Sequence, residues 1–223
     1  MEPGPRPSTP GHDLTVDKPR VVVADDHGVL RQGMRLLLDT ALPGCTVVEA
    51  GSLDQTLAAL GAAPSDMLLL DLDMPGMKGV ASVQSLRTIF PDLTIAVVSG
   101  SSDHQLIVDC LTAGANGYVM KEAAVDEVVY GIQSIFEGYQ YVTPSLLPAV
   151  DALGGRTMTR PARFTSRQLD VLRQLKQGRS NKEIARELGL SEGTVKIHLA
   201  AIFRLLGARN RTEAVVLAGQ LKV

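Results

Sequence analysis

At 223 residues and 45% hydrophobic composition, the chain has the makeup of a globular protein long enough for two ordinary domains. No apolar run reaches the length needed to cross a bilayer, and the start, Met1 to Asp17, is rich in Pro and Gly without the apolar core of a signal peptide. A cytoplasmic protein without a membrane partner is therefore expected. The formal charge of -2 conceals a division, because residues 1–155 carry 19 acidic and 8 basic side chains whereas residues 156–223 carry 5 and 14. An acidic module joined to one that meets a polyanion is the simplest reading.

A tail over residues 1–19 precedes a regular alternation of short apolar runs with longer amphipathic ones, the signature of βα units and a parallel sheet. The strands expected are Arg20 to Asp25, Cys45 to Ala50, Asp66 to Asp71, Leu93 to Ser99 and Gly117 to Met120. The central ones are apolar at nearly every position, as strands covered by helices on both faces must be. Helices are expected near 28–39, 52–61, 78–88, 102–114 and 124–137, with Ser102 followed by Gln105 as a start signal. The fold class is thus α/β, a (βα)5 doubly wound parallel sheet over residues 20–137. Residues 138–163, with Pro144, Pro148, Gly154, Gly155 and Pro161, read as a linker carrying one helical turn. From residue 164 to 223 the pattern is all-α, with helices near 166–177, 181–188, 192–206 and 211–220. Capping-box spacing occurs at Thr165 and Gln168, Ser180 and Glu183, and Asn210 and Glu213. Cys45 and Cys110 stand apart with no histidine cluster beside them, which argues for small buried apolar residues rather than a disulfide or zinc site.

Polar residues recur at the strand ends: Asp25 and Asp26 after the first strand, Asp71 after the third, Ser99 after the fourth and Lys121 after the fifth. The carboxyl edge of an open parallel sheet is where ligands bind, so these distant residues converge. Carboxylates meeting at one edge repel unless a cation lies among them, and an all-oxygen set suits Mg²⁺. One carboxylate can then serve as a nucleophile toward phosphorus, with Ser99 bonding a phosphoryl oxygen and Lys121 neutralising its charge. Taken singly, each residue has a plainer reading: a helix cap, a loop start, a solvated lysine, and for Tyr118 a half-buried strand aromatic. Their placement in one consecutive βα series favours a common site.

The segments VVVADDH, DMLLLDLDMPGMKG, VVSGS and AGANGYVMKEA, in that order, resemble the receiver domain of response regulators across about residues 20–137. The resemblance implies a flavodoxin-like receiver in which Asp71 is the phosphoacceptor, Asp25 and Asp26 bind Mg²⁺, and Asp73 offers its backbone carbonyl to the metal. Ser99 and Lys121 become the phosphoryl partners, and Tyr118 the aromatic switch. A rival reading takes DLD at Asp71 to Asp73 as the DxD motif of a haloacid-dehalogenase-like phosphatase. Met74-Pro75-Gly76 and the position on the third strand argue against it, and a regulator rather than an enzyme is expected.

In the basic half, Gly189-Leu190-Ser191 separates two helices by the turn length of a helix-turn-helix, with Ser191 capping the second. Val195, Leu199, Ile202 and Leu206 form its inward stripe, leaving Gly193, Ile197, Ala200 and Arg204 outward, a face small enough and poor enough in acid to lie in the major groove of DNA, and Lys196 on the flank. Residues 164–218 resemble the LuxR-type DNA-binding domain, and with the receiver they place the chain among regulators of the NarL/FixJ class. The resemblance implies Lys196 and Ile197 at base edges, with Thr194, Lys182 and the Arg209-Asn210-Arg211 segment near phosphates. A sensor histidine kinase, duplex DNA and a second copy of the chain are the implied partners. A protein-interaction adaptor without DNA binding is the alternative for these helices.

Overall fold

The computed structural model describes residues 18–152, 164, 166–190 and 192–219. The expected caps Thr165 and Ser191, the linker residues Gly154, Gly155 and Pro161, and the tail before Lys18 lie outside them. Six parallel strands stand in the order β2-β1-β3-β4-β5-β6: β1 Arg20–Ala24, β2 Thr46–Ala50, β3 Met67–Leu70, β4 Thr94–Ser99, β5 Gly117–Met120 and β6 Tyr141–Val142. Between them run α1 Gly28–Ala41, α2 Leu53–Ala62, α3 Val80–Ile89, α4 His104–Thr112 and α5 Val125–Phe136.

Side chains of a strand alternate between its two faces, so an apolar run buried on both sides feeds two cores. Val22, Ala24, Leu68 and Leu70 enter one layer with Val83, Leu86 and Ile107 of α3 and α4. Val21, Val23, Met67 and Leu69 enter the other with Leu38 of α1 and Ile132 and Ile135 of α5. The doubly wound reading follows directly from this arrangement.

Two local readings are corrected. Helix α4 is capped by Asp103, whose carboxylate accepts from Gln105 N and Leu106 N, rather than by Ser102. A carboxylate one residue nearer the first free amides is the stronger acceptor for a helix start. The stretch read as a linker contains β6, a 3₁₀ turn at Pro144–Leu146 and α6, Leu147–Ala152. Val142, Leu146 and Val150 are buried in the first core layer, so this arm is packed against the receiver sheet rather than loose.

The second unit comprises α7 Ser166–Lys176, α8 Asn181–Leu188, α9 Glu192–Leu206 and α10 Arg211–Gly219. Its separate core joins Val171, Leu172 and Leu175 to Ile184, Val195, Leu199 and Ile202, with Leu206 partly buried at its edge. Ser180 and Glu183 form the expected reciprocal cap of α8, and Gly189, at φ 63°, closes that helix in the left-handed conformation that glycine adopts without penalty. Asn210 Oδ1 accepts from Glu213 N at the start of α10. No described helix is long and apolar enough to cross a membrane.

Candidate functional site

The β1 and β3 ladders set the acidic pocket. Asp25 N donates to Ala50 O at 3.0 Å and Asp71 N to Ala24 O at 2.8 Å, so both carboxylates leave the sheet at the same edge. Asp71 is 1% exposed and Asp25 5%, whereas Asp26 faces solvent at the mouth. Lys121 Nζ lies 2.7 Å from Asp25 Oδ2 and 2.8 Å from Asp71 Oδ2. Burial pushes its pKa down, but the hydrogen bonds and attraction of the two aspartates outweigh this and hold it above the ordinary lysine value. The ammonium therefore persists throughout neutral pH. Its contribution to stability is present below the ordinary lysine pKa and is lost only as pH rises through the higher folded value.

Ligand atoms of Asp25, Asp26, His27 and Asp71 all lie within 4.8 Å of one another. Three carboxylates so close carry more charge than one lysine balances, and their hard oxygens match a small divalent cation. Sequence reading missed His27, whose Nδ1 is 2.7 Å from Asp26 Oδ1. Its adjacency to the acidic pair was the only signal available. Asp73 is exposed, and its N–H donates to Asp71 Oδ1 at 3.2 Å, fixing the loop that follows β3.

Ser99 is fully buried at the end of β4, where its Oγ accepts from Ser101 N at 3.1 Å and its carbonyl accepts from Lys121 N at 3.0 Å. Tyr118 is also fully buried, which sets aside the plainer reading of a half-buried strand aromatic, and its hydroxyl donates to Ser101 O at 2.8 Å. Burial raises its pKa, so the phenol stays protonated and remains a donor.

The helix expected to enter DNA has a divided surface. Gly193, Lys196 and Ala200 are exposed, while Thr194 is 1% exposed and Ile197 packs against the receiver layer formed by α1 and α5. The ring of His198 stacks on Phe136 at 5.9 Å between centroids, and Gln168 Nε2 donates to Glu137 O at 3.3 Å. Arg204 is ion-paired with Glu137 and lies over the Tyr139 ring at 4.7 Å. Two positions assigned to DNA, Ile197 and Arg204, thus face the receiver here. Lys182 and Arg209 are exposed, but Arg211 is tied to Asn181 Oδ1 at 3.0 Å and to Arg179 O. With Asn210 capping α10, the latter two positions serve the fold of the helical unit.

Residues 21–133 match the family described as response regulator receiver domain, and residues 162–218 match bacterial regulatory proteins of the luxR family. The chain is 33% identical over 211 residues to the glycerol metabolism activator of Pseudomonas putida, covering 91% of this chain and 96% of that protein. It is 32% identical to the nitrate/nitrite response regulator protein NarL of Escherichia coli K12, again with 91% and 96% covered. In fold it resembles RcsB from Salmonella enterica serovar Typhimurium bound to promoter rprA in the presence of phosphomimetic BeF3-. There the TM-score is 0.53 at 23% identity, covering 89% of this chain and 97% of that one. Receiver sheet and helical unit together define a two-domain regulator of transcription. The chain belongs to the response regulators that join a receiver to a LuxR-type DNA-binding domain.

Proposed function

We propose that Asp71 accepts a phosphoryl group from the phosphohistidine of a sensor kinase in the cytoplasm, and that the new charge releases α9 to bind duplex DNA. The observation that carries this reading is the convergence of Asp25, Asp26, Asp71 and Lys121 at one strand edge. An Asp71 carboxylate oxygen forms the bond to phosphorus while the bond from phosphorus to the histidine nitrogen breaks. Mg²⁺ held by Asp25, Asp26, Asp71 and the Asp73 backbone carbonyl would supply charge neutralisation on the phosphoryl oxygens. Lys121 and Ser99 hold the remaining oxygens, and the added charge of about -2 draws them inward. Residues 20–137 with the arm at 141–152 make up the receiver in this reading, and 164–223 the DNA-binding domain.

Asp26→Ala removes one of few charged oxygens and is expected to weaken Mg²⁺ binding to the unphosphorylated protein. Calorimetric titration checks it, and an unchanged affinity would mean the carboxylates share no ion. A receiver stops at one phosphoryl per chain, whereas a phosphatase turns over a small phosphoester steadily, which separates the regulator from the hydrolase reading.

Two chains reading two half-sites gain both affinity and spacing. The α4-β5-α5 face is altered by the arm, since β6 extends the edge of β5 and α6 packs on α4. A better candidate is α1, which exposes Val29 and Leu36 seven residues apart on one face.

On DNA, Lys196→Ala and Arg209→Ala are expected to fail differently. Lys196 is exposed early in α9, so its loss should cost about 1–3 kcal/mol at the cognate site and relax sequence preference. Arg209 precedes α10 and suits a phosphate, so its loss should weaken all sequences alike and lower the salt slope by about one unit. Fluorescence anisotropy on cognate and scrambled duplexes across a salt series reads both. Equal losses on the two duplexes would remove Lys196 from base readout.

A further inference from the structure

We infer that the arm formed by β6, the 3₁₀ turn and α6 is a latch, seated when Asp71 is unmodified and loosened when it carries a phosphoryl group. The inference rests on the phosphorylation of Asp71 proposed above.

The arm is joined to the site by its last rung. Tyr141 N donates to Asn116 O at 3.3 Å and Thr143 N to Tyr118 O at 3.1 Å, which are ordinary bonds of a parallel ladder. The next donor of β5, Met120 N, meets no main-chain carbonyl of β6. The chain turns away at Pro144, and the Thr143 hydroxyl takes the bond instead at 2.9 Å. Thr143 is 1% exposed, so without that oxygen the partly buried Met120 N would lose its partner.

The rung sits one peptide from the lysine that spans Asp25 and Asp71. A phosphoryl group on Asp71 changes the distance Lys121 must reach, and the Met120-Lys121 peptide moves with it. The bond to Thr143 is the contact most directly strained by that movement. Tyr118 adds a second link, because its ring shares one core cluster with Val142, Leu146 and Val150 of the arm. Ser99, Ser101 and Tyr118 are already chained by hydrogen bonds, so a shift at Ser99 reaches the same cluster.

The seat is also shaped for close approach. A Cβ on Gly117 would fall 2.7 Å from Tyr141 O, and one on Gly131 would fall 2.6 Å from the Tyr141 ring. Both glycines let the arm lie against β5 and α5 at backbone distance. The arm is thus held by close packing and by three hydrogen bonds to the β5 edge, and a shift of β5 acts on all of them at once.

The test is amide exchange of the full chain over residues 139–150, with and without acetyl phosphate, read by mass spectrometry beside phosphoryl uptake and DNA affinity. Phosphorylated wild type is expected to exchange about tenfold faster in the arm. Thr143→Val should exchange fast and bind DNA as phosphorylated wild type does before any phosphodonor is added, while still taking up one phosphoryl group. Thr143→Ser keeps the accepting oxygen and should behave as wild type. Unchanged arm exchange in wild type that has taken up phosphoryl overturns the latch while leaving Asp71 as acceptor, and so does a Ser variant that behaves like the Val variant. Absence of uptake in wild type overturns the phosphorylation reading and the latch with it. The wild-type measurement stands even if the Val variant fails to fold.

Discussion

Asp71→Asn is expected to take up no phosphoryl group from acetyl phosphate under conditions in which the parent chain gains one. The amide nitrogen has no lone pair to offer phosphorus and the amide oxygen is a weak nucleophile, whereas the carboxylate is poised beside Lys121 at 2.8 Å. The loss does not arise from unfolding. Asparagine has the shape of aspartate, Lys121 keeps Asp25 at 2.7 Å, and removing one of three neighbouring negative charges relieves repulsion. Intact-mass measurement decides the matter. A variant that gains the same phosphoryl mass would move the acceptor elsewhere and dissolve the assignment of the pocket.

The second large effect is expected at the contact between the two units. Glu137→Arg deletes the ion pair with Arg204 and sets two guanidinium groups against each other beside Tyr139. The pair is partly exposed and is worth about 0.2–1 kcal/mol. Like-charge repulsion and a disturbed cation–π contact each add a similar amount. A total of about 1–2 kcal/mol against the closed arrangement corresponds to DNA binding about 5 to 30 times tighter in the absence of phosphodonor. Asp126→Arg, which makes the same charge change in the first turn of α5, is the control for non-specific attraction. Equal gains in the two variants, measured by anisotropy at fixed salt, would mean that the contact does not restrain α9.

The parts legible in the sequence were those with a strong local cause. Runs such as Met67–Leu70 announce themselves because both faces are covered, and the acidic pocket followed because each of its members ends such a run. The stripe of Val195, Leu199 and Ile202 was equally plain, since burial in one core imposes helical spacing. β6 was not legible: two residues between Gly138 and Pro144 show no period, and the strand exists because β5 offers an unfilled edge. Thr143 gave no sign either, as its hydroxyl matters only once Met120 N is seen to face it. The exposure of Ile197 and Arg204 was inferred from the helix alone. Their contact with α5 and the segment after it depends on where a second folded body lies, which no helical period encodes.

Under the proposed reading, in which α9 enters DNA, the seating of Ile197 and Arg204 against the receiver gives these two side chains two employers. A substitution there that alters operator preference also resets how readily the chain opens, so target choice and signal threshold cannot drift independently at these positions. Gly193, Lys196 and Ala200 touch solvent in the closed arrangement and carry no such double duty. Divergence of binding sites among duplicated copies of such a regulator should therefore run through the exposed three first. Changes at Ile197 or Arg204 would persist only with a compensating change in the receiver face at Phe136, Glu137 or Tyr139.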